Sequence, residues 1–225
     1  KITAPNYADY KHQAKVTIKV SENSIWYVNS ANGSDSADGF SWKTAKKTIQ
    51  AAIDCAVAGN KILVADGTYA MIDVSAGKAP LLIMSVNGSG MTVIRGSESG
   101  SRCALLGDDT ACAVTIKGFT LDHGNAYESD SIRYGAAVRG GILEDCVIQN
   151  CRDWSYYGSV VHKSSLSNCV VRNCGLADGS YRNLNRILEG CTAIDCVIKD
   201  CNGIGAYKSA LIGCTVTRLY AEGGK

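Results

Sequence analysis

Two stretches, Tyr134–Cys151 (YGAAVRGGILEDCVIQNC) and Tyr157–Cys174 (YGSVVHKSSLSNCVVRNC), align without a gap. Tyr, Gly, Val, Leu, Cys, Val, Asn and Cys fall at the same places, so each copy keeps two cysteines. Working outward, Leu143, Leu166, Leu188 and Leu211 each stand three residues before a Cys, at intervals of 23, 22 and 23. Repeats of about 20–50 residues mean a solenoid or a propeller. A 22–23-residue unit made of strand-like segments, with no room for a helix, predicts one coil of a β-solenoid. Coils lie about 4.8 Å apart, so equivalent residues stack like over like.

Stacking gives the cysteines a packing role, because a thiol is compact and apolar. Cys146, Cys169, Cys191 and Cys214 recur with the coil and are expected in one inward column. Cys151 and Cys174 close the two copies, each after an Asn. Asn150, Asn173 and Asp200 are expected to bond from coil to coil at a bend. The third copy is irregular: Cys196 and Cys201 match the pair in DCVIQNC only if four residues are inserted. Inside such a column, Cys169→Ser is expected to strand a buried hydroxyl. The total of eleven cysteines is odd, and C-x4-C is not the C-x2-C spacing of zinc sites. Unbridged buried thiols are the reading adopted. Bridges such as Cys146–Cys169 are the alternative in an oxidising compartment.

Composition excludes several classes. Net charge is +2, and the arginines are scattered rather than striped, which argues against nucleic acid. No apolar run approaches the ~18 residues of a membrane span. The three histidines, His12, His123 and His162, lie far apart, so neither a metal nor a cofactor is expected. The chain begins at Lys1 without Met, as a mature secreted or excised chain would.

The N-terminal part reads differently. AKVTIKV (Ala14–Val20) alternates as a half-buried strand without a partner in the repeat. Residues 1–23 are therefore expected to form a linker or an exchanged strand, and 24–225 the solenoid. In TAKKTIQAAIDCAVAGN, Ile49, Ile53, Ala56 and Val57 share a helical face. Thr44 reads as the N-cap and Gly59 as the stop. Cys55 lies on this helix and is expected to be buried under the cap. KILVADGTY then reads as a buried strand, and PLLIMSV, MTVIRG and CAVTIKGFTL as further short strands.

YVNSANGSDSADGFSWKTAKKTIQAAIDCAVAGNKILVADGTY resembles the N-terminal cap and first coil of right-handed parallel β-helix proteins of the pectate-lyase-like superfamily. VTIKGFTLDHG and LSNCVVRNC resemble its later coils. The resemblance implies an all-β solenoid, a right-handed parallel β-helix of about seven coils with an N-terminal capping helix. It implies less about function, because this architecture carries lyases, hydrolases, adhesins and spacers. A lyase of this kind needs a cationic base and acidic Ca²⁺ ligands on one outer face. The candidates are Asp122, Asp145, Asp153, Arg152 and Arg172, and Glu144 and Glu189 are single acids a hydrolase could use. No two of them recur at one place in neighbouring coils, so no catalytic residue is assigned.

Tyr134, Tyr157, Tyr181 and Tyr207 recur once per coil. Turned outward they would make an aromatic strip for sugar rings or a protein, with Trp154 in the connecting loop; turned inward they are packing. The expected function is an extracellular or cell-surface, non-catalytic module, adhesive or self-assembling head to tail, with polysaccharide as a possible ligand. The alternative is a polysaccharide lyase or glycoside hydrolase acting on uronate-containing polymers.

Overall fold

The computed structural model describes residues 24–74, 78–97, 100–107, 113–126, 134–153, 158–175 and 186–220. The strand expected at Ala14–Val20, together with Trp154, Tyr157 and Tyr181, lies outside the described residues.

A single coil shows why this sequence folds as it does. Ile142–Glu144, Val147–Gln149 and Ser159–His162 are three short strands on three different sheets. Asp145, Asn150 and Lys163 end them, each with a left-handed backbone (φ 53°, 55° and 47°). One such residue turns the chain sharply, and Gly, Asn and Asp accept that conformation at least cost. Between the corners, side chains alternate. Leu143 and Ile148 point in and are fully buried, while Glu144 and Gln149 point out. LEDCVIQNC therefore encodes strand, corner, strand, corner.

Repetition builds three parallel sheets of eight, seven and six strands, here called sheets I, II and III. Every pairing between their strands is parallel. The corners stack as well. Asp145, Asn168 and Asp195 share one left-handed column, and Asn150, Asn173 and Asp200 another. Asn168 donates to the Asp145 carboxylate at 2.7 Å. Asn150 donates not to another Asn but to Asp122 in the preceding coil, at 2.9 Å.

The cysteine columns differ from the simple period. Leu143 pairs with Leu166, Leu166 with Ala193, and Ala193 with Leu211. The third coil thus spans 27 residues and the fourth 18, which together imitate two ordinary coils. The inward column is Phe119–Cys146–Cys169–Cys196–Cys214. Cys191 belongs instead to the corner between sheets III and I, in register with Ser164 and Ser209. Leu188 likewise sits on sheet III, paired with Val161. A second column runs Cys151–Cys174–Cys201–Leu219. The four-residue insertion lies between Cys174 and Arg186.

Each of these thiols has a polar task. The Cys169 Sγ donates to the Ser167 carbonyl at 3.2 Å, and the Cys169 N–H is accepted by the Cys196 Sγ at 3.4 Å. Cys196 repeats this with Ile194 and Cys214. Just past a corner, the backbone N–H needs an acceptor and the i−2 carbonyl has a second lone pair; one small donor–acceptor group serves both. Hydroxyls do the same. Ser209 Oγ accepts from the Cys191 N–H at 3.0 Å and donates to the Tyr207 carbonyl at 2.9 Å. The expectation that a serine here lacks partners is thereby corrected. All ten described cysteines are unbridged. In-register stacking holds their Cβ atoms near the ~4.8 Å coil spacing, beyond the ~3.5–4.5 Å a disulfide needs.

The two ends are unlike. At the N-terminal end, α1 (Ile49–Cys55) lays Ile49, Ala52 and Ile53 over strands Ile25–Val28, Lys61–Val64 and Ile72–Asp73. Its N-cap is Thr48, which accepts from the Ala51 N–H at 3.1 Å. Thr44 instead closes a short 3-10 turn capped by Ser41. The helix starts late because Lys46 is held extended against Tyr27 and Asn29 of the first strand. Cys55 faces away from the buried stripe and is exposed, not covered, and Val57 is 39% exposed. At the other end, Leu211 and Val216 occupy inward positions of the last described coil and are 38% and 40% exposed.

Candidate functional site

The register brings polar side chains of distant sequence into outer columns. On sheet III, Arg139, His162, Glu189 and Tyr207 stand in line in four successive coils. Glu189 is bound by Arg186 three residues earlier at 2.6 Å, and both side chains are about 86% buried (14% and 13% exposed). The His162 Nδ1 lies 3.6 Å from Glu189 and 3.4 Å from the Ser159 hydroxyl. Burial pushes the His162 pKa down to about 4; Glu189 opposes this, while Arg139 and Lys163 add to it. His162 is therefore neutral at pH 7. A Ser–His–acid relay needs its two partners on opposite ring nitrogens. Here both meet Nδ1, and Ser159 is fully buried. The Tyr134 ring stacks on His162, with centroids 4.8 Å apart. Arg186 lies 4.1 Å and Lys208 5.3 Å from the Tyr207 centroid.

On sheet II the outer column is Arg95–Asp122–Gln149–Arg172–Lys199. Asp122 is its hub, with a side chain only 4% exposed. Arg95 donates to it at 2.9 and 3.2 Å, and Asn150 at 2.9 Å. Burial opposes ionisation of Asp122, but Asn150, His123 and Arg95 outweigh it and hold the carboxyl below its usual range. The His123 Nδ1 is 2.8 Å away yet off the line of a good hydrogen bond, so this is a close electrostatic contact. Arg172 is spent on the Gln149 side-chain Oε1 at 2.7 and 3.1 Å. Elsewhere Lys117 bridges Glu144 and Asp145 at 3.1 and 3.2 Å, and Arg218 pairs with Asp200.

No protein-family model matches the chain, and no curated protein does. Solved structures are similar in shape alone. A rhamnogalacturonan lyase superposes with a TM-score of 0.51 at 14% identity, over 89% of this chain and 63% of its own. A GH136 lacto-N-biosidase from Eubacterium ramulus gives 0.47 at 12% identity, over 81% and 42%. A pectin methylesterase from carrot gives 0.39 at 12% identity, over 89% and 83%. The fold is a right-handed parallel β-helix. The chain spans from under half to just under two thirds of the first structures it matches.

On this β-helix the residues singled out from sequence are dispersed. They fall into separate groups: Asp122 and Arg172 share the outer column of sheet II on either side of Gln149, while Glu144 and Asp145 meet on Lys117 of sheet I. Asp153 is fully buried, accepting from the Ser159 N–H at 2.9 Å. Arg152 is exposed on a two-stranded extension beside Asn125. Tyr134 and Tyr207 do not stack in one column: Tyr207 is in register with Glu189, and Tyr134 lies against His162. Sequence reading missed the His162–Glu189–Arg186 group, because 27 residues separate His162 from Glu189 where the Leu166–Leu188 interval predicts 22. It also missed Trp42, which is 44% exposed and meets Tyr27 edge-on at 4.8 Å. Among the described residues, no three His, Cys, Asp or Glu side chains form a metal-binding group, and no helix is long and apolar enough to cross a membrane.

Proposed function

We propose that this β-helix is a non-catalytic, extracellular module that contacts polysaccharide through its outer faces. The observation that supports this reading is the state of its acids. Asp122, Asp145, Glu189 and Asp200 each accept from a cationic or amide side chain of their own coil or a neighbouring one. Glycoside hydrolysis needs two carboxyls across a substrate, one of them free to carry a proton. Uronate elimination needs a base aimed at an open cleft. Carboxylates held in ion pairs lack the proton a hydrolase's acid must carry, and the cations Arg95, Arg172 and Arg186 donate to neighbouring side chains rather than point at a cleft as a lyase's base would, whereas ring edges on a rigid sheet suit binding. The polysaccharide-active names of the similar structures agree with a glycan ligand but do not choose between binding and turnover.

A second reading rests on one observation: the Glu189 Oε2 is buried without a hydrogen-bond donor beside neutral His162. That group would be the acid–base centre if the chain were a lyase or hydrolase. The experiment is a panel of pectins, alginates and neutral glycans, with Ca²⁺, followed for unsaturated products and new reducing ends. Binding without product supports the module. Turnover abolished by Glu189→Gln overturns it.

A further inference from the structure

The strand expected at Ala14–Val20 needs an apolar surface to lie on, and one outer face of the fold supplies it. Sheet I begins with strands Ile25–Val28, Lys61–Val64 and Leu81–Ser85. Trp26, Val28, Ile62, Val64, Leu81 and Ile83 point into the core and are buried, so the residues between them point out. Register lines these up in two columns, Tyr27–Leu63–Met84 and Ile25–Lys61–Leu82. None of the six is buried, and five of them are apolar. In the next three coils the same positions hold Thr115, Lys117, Ile142, Glu144, Ser165 and Ser167, with one apolar residue in six. The apolar face is thus confined to the three coils nearest Ser24, where residues 1–23 join the described fold.

Size, chemistry and reach choose the occupant. Three coils of four-residue strand cover roughly 13 by 14 Å, or about 200 Å². A separate protein partner buries about 800 Å² on each side. A glycan's hydroxyls would meet Lys61 as the one polar side chain of the six. One short amphipathic strand fits both limits. In AKVTIKV, Ala14, Val16, Ile18 and Val20 fall on one side and Lys15, Thr17 and Lys19 on the other. Val20 precedes Ile25 by five residues, a reach of at most about 16–18 Å. The patch extends two coil spacings from Ile25, about 10 Å. Edge pairing is closed to such a strand at Tyr27, whose N–H donates to the Gly39 carbonyl and whose carbonyl accepts from the Lys46 N–H, both at 2.8 Å. It must dock by its side chains, face on.

We propose that Ala14–Val20 lies across this patch, with Ile18 and Val20 against Tyr27, Leu63 and Met84 and with Lys15 and Lys19 turned to solvent. The link Ser21–Ser24 keeps the segment beside its site at an effective concentration on the order of millimolar, so a small apolar contact suffices. The contact uses none of the sheet II or sheet III residues and is independent of the glycan reading.

Timed trypsin digestion of the full chain, read by mass spectrometry, tests it. Cleavage after Lys15 and Lys19 should lag cleavage after Lys11 at least about tenfold, because the protease must wait for the segment to leave the sheet. Ile18→Ser and Leu63→Ser should each remove the lag, and Thr17→Ser, on the solvent side, should keep it. Equal cleavage after all three lysines overturns the proposal. So does a lag that Leu63→Ser leaves intact, which places the segment elsewhere, or one that dilution abolishes, which makes the partner a second copy. If Leu63→Ser does not fold, cross-linking of the wild type with a short amine-reactive reagent decides. Lys15 or Lys19 joined to Lys61 of the same chain supports the contact, and links to other lysines alone refute it.

Discussion

Replacing Cys169 separates two accounts of the cysteine columns. If the thiol is only a compact apolar filler, alanine should be better tolerated than serine. If it is a corner group that both donates and accepts, serine should be better tolerated than alanine. Cys169 is 1% exposed, donates to the Ser167 and Leu143 carbonyls at 3.2 and 3.5 Å, and accepts from the Cys146 backbone. Cys169→Ala removes roughly one methylene equivalent of burial, about 0.8 kcal/mol. It also orphans a buried N–H, about 1–3 kcal/mol, so the loss should be about 2–4 kcal/mol. Cys169→Ser should keep both bonds, as Ser209 does at the corner between sheets III and I. Its cost should be under about 1 kcal/mol, from lost apolar contact. Urea unfolding followed by far-UV circular dichroism gives the ordering, provided the three proteins share one m-value. Alanine as stable as wild type, or more stable than serine, would refute the corner role.

Four further outcomes follow from the same geometry. Glu189→Ala leaves Arg186 buried without its carboxylate and should cost about 3–5 kcal/mol, measured as a shift in urea midpoint; a shift within error would show that solvent reaches the pair. His162 is held neutral with a folded pKa of about 4, below its ordinary 6.5. Its contribution to stability is therefore complete above pH 6.5 and is lost as pH falls from 6.5 towards 4. The acid limb of the stability profile should flatten in that window in His162→Gln, and an unchanged limb would place the titration elsewhere. Asn173 sits at φ 51°, so Asn173→Gly should be near neutral while Asn173→Val loses about 1–2 kcal/mol, compared by thermal melts. Peptide mapping after alkylation of the native protein should label Cys55 rapidly, Cys214 more slowly, and Cys146, Cys151, Cys169 and Cys174 only after denaturation.

The repeat was legible because a corner leaves a signature. A left-handed residue followed by a small buried one writes itself as D-C, N-C or G-C, and LEDCVIQNC carries two in nine residues. The cap was legible through its apolar stripe, but its start was not: Ala45–Lys46 are extended by pairing with Tyr27, a long-range constraint no local pattern holds. The false period had the same kind of cause. A 27-residue coil beside an 18-residue one keeps the average spacing, so LEGC passed for LSNC although Leu188 lies on another sheet. The outer columns were less legible still. His162 and Glu189 meet only through that longer coil, and nothing in TLDHG shows that Asp122 gathers Arg95, Asn150 and Gln149. Trp42 stood inside the cap segment without a role, because exposure of a side chain is decided by what folds over it.

The central claim is that this β-helix holds a glycan without cleaving it. Incubating the chain with fluorescently labelled oligogalacturonate and Ca²⁺, and measuring anisotropy and product mass in the same samples over a day, tests it directly. The account predicts a saturable rise in anisotropy with the label remaining on full-length oligosaccharide. Shortened or unsaturated product accumulating in proportion to protein, and lost in Glu189→Gln, would contradict it.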